Sequence, residues 1–407
     1  MIRILSFKDA QSLIVRKTVR LAEAERIVGP ILADVRDRGD RALLEYARKF
    51  DGFEGASVRI PVQGSLAPAF AEAVSAAAKN IREYAQAQLP REWFVDHPDG
   101  RRLGQIVRPL DAMGAYVPAG RYPLPSTLLM TVIPAQTAGV ATTCVACPNP
   151  SPEIMGIAQW LGVTHLFRMG GAQAIAALAY GTETVPKVDR IVGPGNIYVA
   201  AAKKLIAGET GIDFVAGPTE IVIIAAEGNP RWIAADLLAQ AEHDVDASAI
   251  LLTTSPRLAE AVAISVTRQL ETLPTAAVAR PSIEANGAIV VLDTLDQAVE
   301  FSNALAPEHL ALHDGSLLAK IRHAGAVFVG ASSPESAGDY ASGPNHVLPT
   351  SGAARLRGGL SAADFVKVIA VQELSREGLA NLTPAITTLA RAEGLEAHAR
   401  SAEVRGD

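Results

Sequence analysis

The feature that most constrains the fold is an alternation that runs from Leu103 to Gly330. Short runs rich in β-branched and apolar residues alternate with alanine-rich stretches of helical character. A first series of such runs includes GAYVP, TTCVAC, HLFRM and DRIVG, and a second includes EIVIIAA, AILLTT, AIVVL, EHLALH and AVFVG. This alternation predicts parallel βαβ units, which bind ligands at the carboxyl ends of their strands.

We therefore predict an α/β fold with two tandem or nested incomplete Rossmann-like βα domains and small helical segments at both termini. The predicted division is an N-terminal segment (1–15), a first domain (16–115 plus 220–359), a second domain (116–219) and a C-terminal tail (360–407). Apolar residues at helical spacing predict helices within residues 15–49 and at about 68–89. After Gly330 a polar, Gly-rich stretch predicts a functional loop, and helical texture returns from about Ala362.

Composition excludes some classes of function. Lys plus Arg total 37 against 43 Asp plus Glu, and the net charge of -6 argues against a nucleic-acid partner. The first residues contain no sustained apolar segment or small-residue cleavage site, and Gly, Pro and charges interrupt the longer apolar stretches. We expect a cytoplasmic protein that does not bind a membrane.

The two cysteines, Cys144 and Cys147, have a CxxC spacing. This spacing suits redox exchange or half of a zinc site, but the flanking TTCVACPNP is typical of a buried strand that ends in a proline turn. We favour the structural interpretation.

Two glycine turns join an apolar strand to an alanine-rich helix. Gly193-Pro194-Gly195-Asn196 has Tyr198 where a dinucleotide fingerprint has its last glycine, so the motif alone is weak. At Gly170-Gly171-Ala172-Gln173 the glycines allow a ligand to approach the backbone and Gln173 offers an amide. For the Gly193 turn we favour a simple connection between strand and helix, whereas for the Gly170 turn the ligand site and the simple connection are balanced.

Three further groups of residues suggest chemistry. Gln240 and His243 are three residues apart near the end of a helix, a spacing that suits a metal, but Gln is an uncommon ligand and the pair taken alone favours a polar helix end. Glu308 and His309 are adjacent in a strand-like run, and both face one pocket only if Pro307 marks an irregular entrance to the strand. Glu335, Asp339 and His346 lie in the Gly-rich loop, as expected of a metal or substrate cradle.

These residues belong to segments that resemble histidinol dehydrogenases. The segments are QAEHD (240–244), PEHL (307–310), SPESAGDYASGPNHVLPT (333–350), VQELSREGL (371–379) and EGLEAH (393–398), together with YVPAG, GGAQAIAALAYGTE and GPGN. The resemblance spans roughly residues 20–403. It implies an NAD-dependent oxidoreductase of histidine biosynthesis that converts L-histidinol through an aldehyde to L-histidine with two NAD, as a homodimer with one zinc per active site.

The resemblance also implies the role of each site residue. Glu308 activates water on the aldehyde, and His309 is the general base. The zinc ligands are Gln240, His243, Asp339 and His398, the last from the partner subunit, and Tyr116, Gln173 and Asn196 contact NAD. Substrate-binding residues comprise these zinc ligands with Ser126, Thr219, His309, Glu335, His346 and Glu393. The first domain thus carries zinc and the catalytic residues, the second lies on the NAD side, and the tail makes the dimer contact.

Two positions depart from the family pattern: Thr219 stands where many members have Ser, and Ala119 replaces the first glycine after YVP. The added methyl of Thr219 reshapes a pocket, so a paralogous dehydrogenase of another small polar alcohol, such as sulfopropanediol, stays an alternative. From other classes, a zinc hydrolase leaves both glycine turns unexplained. A catalytically silent binding protein conflicts with the complete set of base, water activator and ligands.

Overall fold

The computed structural model of the chain describes residues 2–14, 21–118 and 122–406. In chain order the strands are β1 (Arg3–Ser6), β2 (Arg59–Ile60), β3 (Trp93–Asp96), β4 (Arg101–Pro109), β5 (Ala112–Tyr116), β6 (Thr142–Ala146), β7 (His165–Phe167), β8 (Arg190–Val192), β9 (Gly211–Ile212), β10 (Glu220–Ile224), β11 (Ser248–Thr253), β12 (Ala288–Val291), β13 (His309–Leu312), β14 (Ala326–Val329) and β15 (Val366–Leu374).

The helices are α1 (Gln11–Ile14), α2 (Leu21–Arg38), α3 (Asp40–Asp51), α4 (Pro68–Gln88), α5 (Pro125–Thr137), α6 (Pro152–Trp160), α7 (Gly171–Tyr180), α8 (Ile197–Ile206), α9 (Pro230–Ala241), α10 (Pro256–Leu270), α11 (Ala276–Asn286), α12 (Leu295–Leu305), α13 (Glu335–Tyr340), α14 (Arg376–Ala392) and α15 (Glu396–Glu403). Short 3-10 helices cover Gly315–Lys320, Ala353–Arg355 and Ala362–Phe365.

Two six-stranded sheets confirm the predicted α/β class. Sheet A has the order β1-β12-β11-β10-β13-β14 and is parallel throughout. Sheet B has the order β2-β7-β6-β5-β8-β9 and is parallel except for its edge strand β2. Because β1 pairs with β12, residues 59–212 of sheet B lie within the chain segment that sheet A closes, so the arrangement is nested.

Helices cover both faces of each sheet, as the apolar strands require. In β10, Ile221 and Ile223 pack into one hydrophobic core, and Val222 and Ile224 pack into the core on the opposite face. Such continuous apolar strands are buried on both sides. Among the described residues no helix has both the length and the apolar character to cross a membrane.

Sheet C is a separate antiparallel sheet of three strands with the order β15-β4-β3. Its strands contribute no residue to the four hydrophobic cores of the described chain. Trp93, Phe94, Val368 and Ile369 on these strands are exposed. A sheet with uncovered apolar side chains is suited to cover by another surface.

The sheets assign some residues differently from the sequence. Within residues 16–115, which we grouped with 220–359, the described part instead belongs mainly with sheet B. Helices α2 and α3 pack in a core of that sheet and β2 and β5 are two of its strands, whereas β3 and β4 form sheet C. The grouping had been inferred from position in the chain, and the sequence of an amphipathic helix does not show which sheet the helix covers. The helical texture expected from Ala362 is wrong for Val366–Leu374, which pairs with β4 along its whole length. Strand β1, in the segment 1–15, was also not predicted.

The cysteines follow the structural interpretation. Both are buried and free: Cys144 lies within β6 and Cys147 directly follows it. Burial raises the pKa of the Cys144 thiol to about 12 and that of Cys147 to about 11. A thiol held in its neutral form is a poor nucleophile and a poor metal ligand.

Candidate active site

The candidate site lies where two unlike sheet edges meet. Residues before β10 and β13 come from the amino edge of sheet A, and residues after β5 and β8 come from the carboxyl edge of sheet B. For sheet B this agrees with the expected position of ligand loops in parallel sheets. For sheet A the site is at the opposite edge from the one that the βαβ pattern predicts.

A cavity of about 180 Å³ gathers seven of the predicted site residues. They are Ser126, Thr219, His243, Glu308, His309, Asp339 and His346. Ser126 is supplied by the first turn of α5, His243 follows the end of α9, and Asp339 lies on α13. Residues more than 200 positions apart in the sequence therefore meet in one small space.

The chain enters β13 irregularly, as Pro307 predicted. Helix α12 ends at Leu305, Ala306 adopts a left-handed conformation with φ of 52°, and the regular strand begins only at His309. Glu308 precedes that regular strand and is not bound by its alternation. Consequently the side chains of Glu308 and His309 both line the cavity, with 3.7 Å between Glu308 Oε2 and His309 Nδ1.

The ring of His309 is buried and its two nitrogens have different surroundings. Nδ1 lies 3.2 Å from the carbonyl oxygen of Glu220. Since a carbonyl only accepts, Nδ1 carries the hydrogen and Nε2 of the neutral ring keeps its lone pair. Nε2 makes no hydrogen bond and lies 3.5 Å from Asp339 Oδ1, an ion-pair distance once the ring is protonated.

Opposing effects act on the pKa of His309. Burial lowers the pKa of the ring, but the charges of Glu308, Glu335 and Asp339 outweigh burial and raise it. For Glu308, burial raises the pKa to about 7, against the opposing effects of His309 and two hydrogen bonds. The site therefore holds a base and a carboxyl whose protonation states depend on each other.

Thr219 connects Glu308 to Gln240 through one hydroxyl. Thr219 Oγ1 donates to Glu308 Oε2 and accepts a hydrogen bond of 2.7 Å from Gln240 Nε2. The amide of Gln240 is thereby oriented with Oε1 on its other side, where this oxygen is buried and has no partner. Thr219, the position that departs from the family pattern, thus orients two site residues, whereas Ala119 lies outside the described residues.

Two further groups lie beside the pair: Glu335 is buried and His346 is half-buried. Both carboxyl oxygens of Glu335 are buried and without a hydrogen-bond partner, and burial raises its pKa well above the usual value. His346 Nδ1 donates to the carbonyl oxygen of Asp339 over 2.8 Å, which leaves its Nε2 as an acceptor. Burial lowers the pKa of His346, so this ring is neutral. Unpartnered buried polar atoms of this kind indicate a ligand.

The residues that could hold a metal are Gln240, His243 and Asp339. Within the described ranges no three His, Cys, Asp or Glu residues are grouped as a metal site. The predicted set includes only two residues of those types in one subunit, because its third member is a glutamine. The unpartnered Oε1 of Gln240 is suited to a cation, and an amide oxygen, an imidazole and a carboxylate together suit zinc.

A second cavity of about 600 Å³ adjoins the first and shares a wall with it. Asn196 lies in its lining, and the shared wall includes Pro194, Gly195 and Gly217. The side chain of Asn196 accepts hydrogen bonds from the amides of Tyr198 and Val199 and so caps α8, which is the purely structural role. The side of the residue towards the cavity stays available for a ligand.

Tyr116 and Gln173 line neither of these cavities. Both are buried behind the glycine turn that precedes α7, where Tyr116 Oη accepts from the amide of Gly171 over 3.1 Å. Glu393 and His398 are exposed near the end of the chain and also line neither cavity. One subunit therefore brings together the predicted catalytic pair and three of the four predicted ligands.

A buried ion pair that the sequence analysis missed supports the shared wall. Lys203 Nζ is paired with Asp213 Oδ1, and the exposure of these two residues is 2% and 4%. Asp213 Oδ2 accepts a hydrogen bond from the amide of Gly193, and Lys203 Nζ donates one to the carbonyl oxygen of Gly193. The only available signal was a lysine at an apolar position of α8, which also fits a surface residue.

Comparison with known proteins adds a family to this geometry. Residues 14–406 match the family model described as histidinol dehydrogenase. The histidinol dehydrogenase of Geobacillus kaustophilus is 50% identical over 399 residues, which is 94% of each chain. That of Syntrophotalea carbinolica is 46% identical and aligns with 100% of this chain and 99% of its own.

A solved structure agrees with these relatives. Histidinol dehydrogenase from Elizabethkingia anophelis superposes with a TM-score of 0.94 at 36% identity, over 99% of this chain and 98% of that one. The family match, the two relatives and the superposition all extend over nearly the whole length of the chain. The chain belongs to the histidinol dehydrogenase family, whose members are oxidoreductases.

Proposed function

We propose that the protein oxidises L-histidinol through its aldehyde to L-histidine with two NAD, the last step of histidine biosynthesis, in the cytoplasm. The observation that carries this proposal is the convergence of His309 and Glu308 on one cavity, beside Gln240. The amide of Gln240 is joined to the cavity lining through Thr219, and its Oε1 is buried without a partner. A base, a group to activate water and an open metal ligand are what two successive oxidations at one carbon require.

His309 acts as the general base in this mechanism. Its Nε2 lone pair takes the proton from the alcohol while hydride leaves the carbon, and Asp339 at 3.5 Å then stabilises the charged ring. The hydrogen bond from Nδ1 to the carbonyl of Glu220 holds the ring in the productive tautomer. NAD, when bound, accepts the hydride in each of the two steps.

Glu308 acts in the second oxidation, where its ionised carboxylate draws a proton from the water that attacks the aldehyde. Thr219 and the amide of Glu220 both donate to Oε2, so these two bonds orient the carboxylate. A carboxyl with a pKa near 7 is a stronger base than an ordinary glutamate and can still be ionised at neutral pH.

Gln240, His243 and Asp339 would hold the zinc, with His398 of a second subunit as the fourth ligand. Zinc, when bound, supplies a template for the imidazole and amino nitrogens of the substrate. Ser126, Thr219, His346, Glu335 and the partner's Glu393 then contact the substrate. The unpartnered carboxyl of Glu335 is suited to an imidazole N–H, which a simple alcohol such as sulfopropanediol lacks.

The larger cavity is the proposed position of NAD. Its volume of about 600 Å³ is in the range of cofactor pockets, and NAD bound there would lie next to the small cavity, with which it shares lining residues. Asn196 contacts NAD from this lining. Tyr116 and Gln173, which lie behind the α7 turn and outside the lining of this cavity, are the other two proposed contacts of NAD.

A homodimer accounts for the residues that one subunit leaves outside the cavity. The exposed apolar side chains of sheet C, which include Trp93 and Ile369, provide a surface for the second copy. The tail that follows β15 carries Glu393 and His398. We infer that these two residues enter the site of the other subunit.

The test is the number of NADH molecules formed per L-histidinol, measured by absorbance at substoichiometric substrate with zinc present. We expect two NADH and stoichiometric L-histidine. Absence of NADH from L-histidinol, with turnover of another small polar alcohol, would refute histidinol as the substrate. Product formation that is independent of NAD would support a hydrolase instead.

His309→Gln is the variant that tests the base. We expect a loss of kcat of about 10²-fold or more, because glutamine fills the space but cannot take the proton. The matched control is His313→Gln, a histidine at the other end of β13 that lies outside both cavities. Equal rates for wild type and His309→Gln would exclude His309 as the base.

A further inference from the structure

The amino terminus of α7 carries Gln173, one of the proposed NAD contacts, and its first amides are already hydrogen-bonded. The amide of Gly170 donates to Asp51 Oδ2 over 2.9 Å. The amide of Gly171 donates to Tyr116 Oη over 3.1 Å. A carboxylate of the protein therefore accepts the N-cap amide of α7 and places a negative charge at a helix terminus that would otherwise favour a phosphate.

Asp51 also determines how Gln173 is oriented. Gln173 is 1% exposed, and its Nε2 donates to the same Oδ2 of Asp51 over 3.1 Å. This oxygen already accepts the hydrogen of Gly170, so it is an acceptor and the amide nitrogen must face it. The carbonyl oxygen of Gln173 consequently points away from Asp51, towards Gly171, where a Cβ would lie only 2.9 Å from it.

Asp51 comes from a distant part of the chain. It is the last residue of α3, and 119 positions separate it from Gly170. It is half-buried, and a Cβ on Gly170 would lie 2.8 Å from its Oδ1. Both carboxylate oxygens of Asp51 therefore lie close to Gly170, which fixes the carboxylate relative to the turn.

We propose that Asp51 is a positioning residue for NAD. It presents the carbonyl oxygen of Gln173, and not its amide nitrogen, to the cofactor, and it keeps the diphosphate away from the start of α7. The part of NAD that binds there is an uncharged N–H or O–H donor: the nicotinamide carboxamide, the adenine amine or a ribose hydroxyl. This inference rests on the proposed use of NAD and on Gln173 as one of its contacts.

The experiment compares steady-state constants of three variants of the full-length zinc enzyme. We expect Asp51→Ala to raise the KM for NAD about tenfold, the effect of one lost hydrogen bond, with kcat and the KM for L-histidinol nearly unchanged. Asp51→Asn retains an acceptor oxygen and should restore most of the affinity for NAD. The control, Glu54→Ala, removes an exposed carboxylate three residues further along and should have no effect.

A double variant separates positioning from a general structural effect. If Asp51 acts through Gln173, Asp51→Ala adds nothing to the KM for NAD once Gln173→Ala is present. The proposal would be overturned if Asp51→Ala raised the KM for NAD by the same factor with and without Gln173→Ala. It would also be overturned if Asp51→Ala raised the KM for L-histidinol as much as the KM for NAD. Thermal unfolding verifies that each variant is folded, and Asp51→Asn provides the comparison if Asp51→Ala is not.

Two NAD analogues identify the donor. One carries acetylpyridine in place of nicotinamide and lacks the carboxamide N–H, and the other carries hypoxanthine and lacks the adenine amine. The analogue without the relevant donor should bind wild type and Gln173→Ala equally well. If both analogues still bind wild type more tightly than Gln173→Ala, the contact is assigned to a ribose hydroxyl. If wild type reduces NAD but Asp51→Ala has an unchanged KM for NAD, this inference fails and the proposed function does not.

Discussion

Glu308 and His309 differ in the neighbours that set their chemistry, although they are adjacent in the sequence. Glu308 receives two hydrogen bonds on Oε2, whereas the Nε2 of His309 receives none. The sequence predicted both residues and the irregular entrance at Pro307. It did not predict which nitrogen of the ring is free, because that depends on the carbonyl of Glu220, which lies in a different strand.

Glu308→Gln should separate the two oxidations. Glutamine accepts the same two hydrogen bonds but cannot activate water, so we expect the NADH yield to fall from two towards one per L-histidinol. Accumulation of the aldehyde, trapped with a hydrazine reagent, is the second measurement. Two NADH at the wild-type rate would show that another group activates the water.

The pKa of Glu308 also predicts a pH dependence of stability. Burial raises its pKa from 4.5 to about 7, so the folded state favours the protonated carboxyl. This stabilisation is complete below pH 4.5 and is lost as the pH rises through 7, by about 3 kcal/mol for this group. Urea unfolding of metal-free wild type and Glu308→Gln at pH 5 and pH 8 measures the difference. The variant should lose less stability over this range, and parallel losses would contradict the shift.

At the scale of elements, helix α8 and the segment after β9 are joined by Lys203 and Asp213. Removal of one partner leaves the other charge buried, so Lys203→Met should reduce the free energy of unfolding by about 3–5 kcal/mol. Lys204→Met is the matched control: Lys204 is adjacent to Lys203 but pairs with Glu25 near the surface, so its loss should cost below about 1 kcal/mol. Equal losses in urea unfolding would show that the buried pair is not stabilising.

Most elements of both sheets could be predicted, since hydrophobic periodicity is a local property. The sheet that each helix covers could not, and α2 and α3 were therefore grouped with residues 220–359 although they pack on sheet B. Strand β15 was missed for a related reason: its partner β4 lies more than 250 positions earlier. Both errors concern contacts between distant parts of the chain, which no local pattern records.

At the scale of the whole molecule, the proposed exchange of His398 between subunits predicts complementation. A mixture of His309→Gln and His398→Ala chains, unfolded and refolded together, should regain about a quarter of the wild-type activity, since half of the dimers are hybrids and one of their two sites is intact. Each variant refolded alone is the control. No gain on mixing would place His398 in the site of its own subunit.

The position of the site was predicted only in part. The carboxyl edge of sheet B followed from the βαβ pattern, whereas the amino edge of sheet A did not, because His243 follows a helix that runs back against its strands. The βαβ pattern thus predicted the side of the cavity that sheet B forms. The residues on the side that sheet A forms were predicted only from their resemblance to the family's motifs.

The nesting of the two sheets has a consequence for synthesis of the chain. Sheet B has all its strands once residue 212 has been made, but sheet A joins Arg3 to Ala288 and receives its last strand at Ala326–Val329. Contacts over so long a separation close slowly, and domains fold as units while the ribosome adds residues. The inserted half therefore folds first. Glu308 and His309, the proposed catalytic pair on sheet A, are therefore assembled late, beside sheet B, which is already complete.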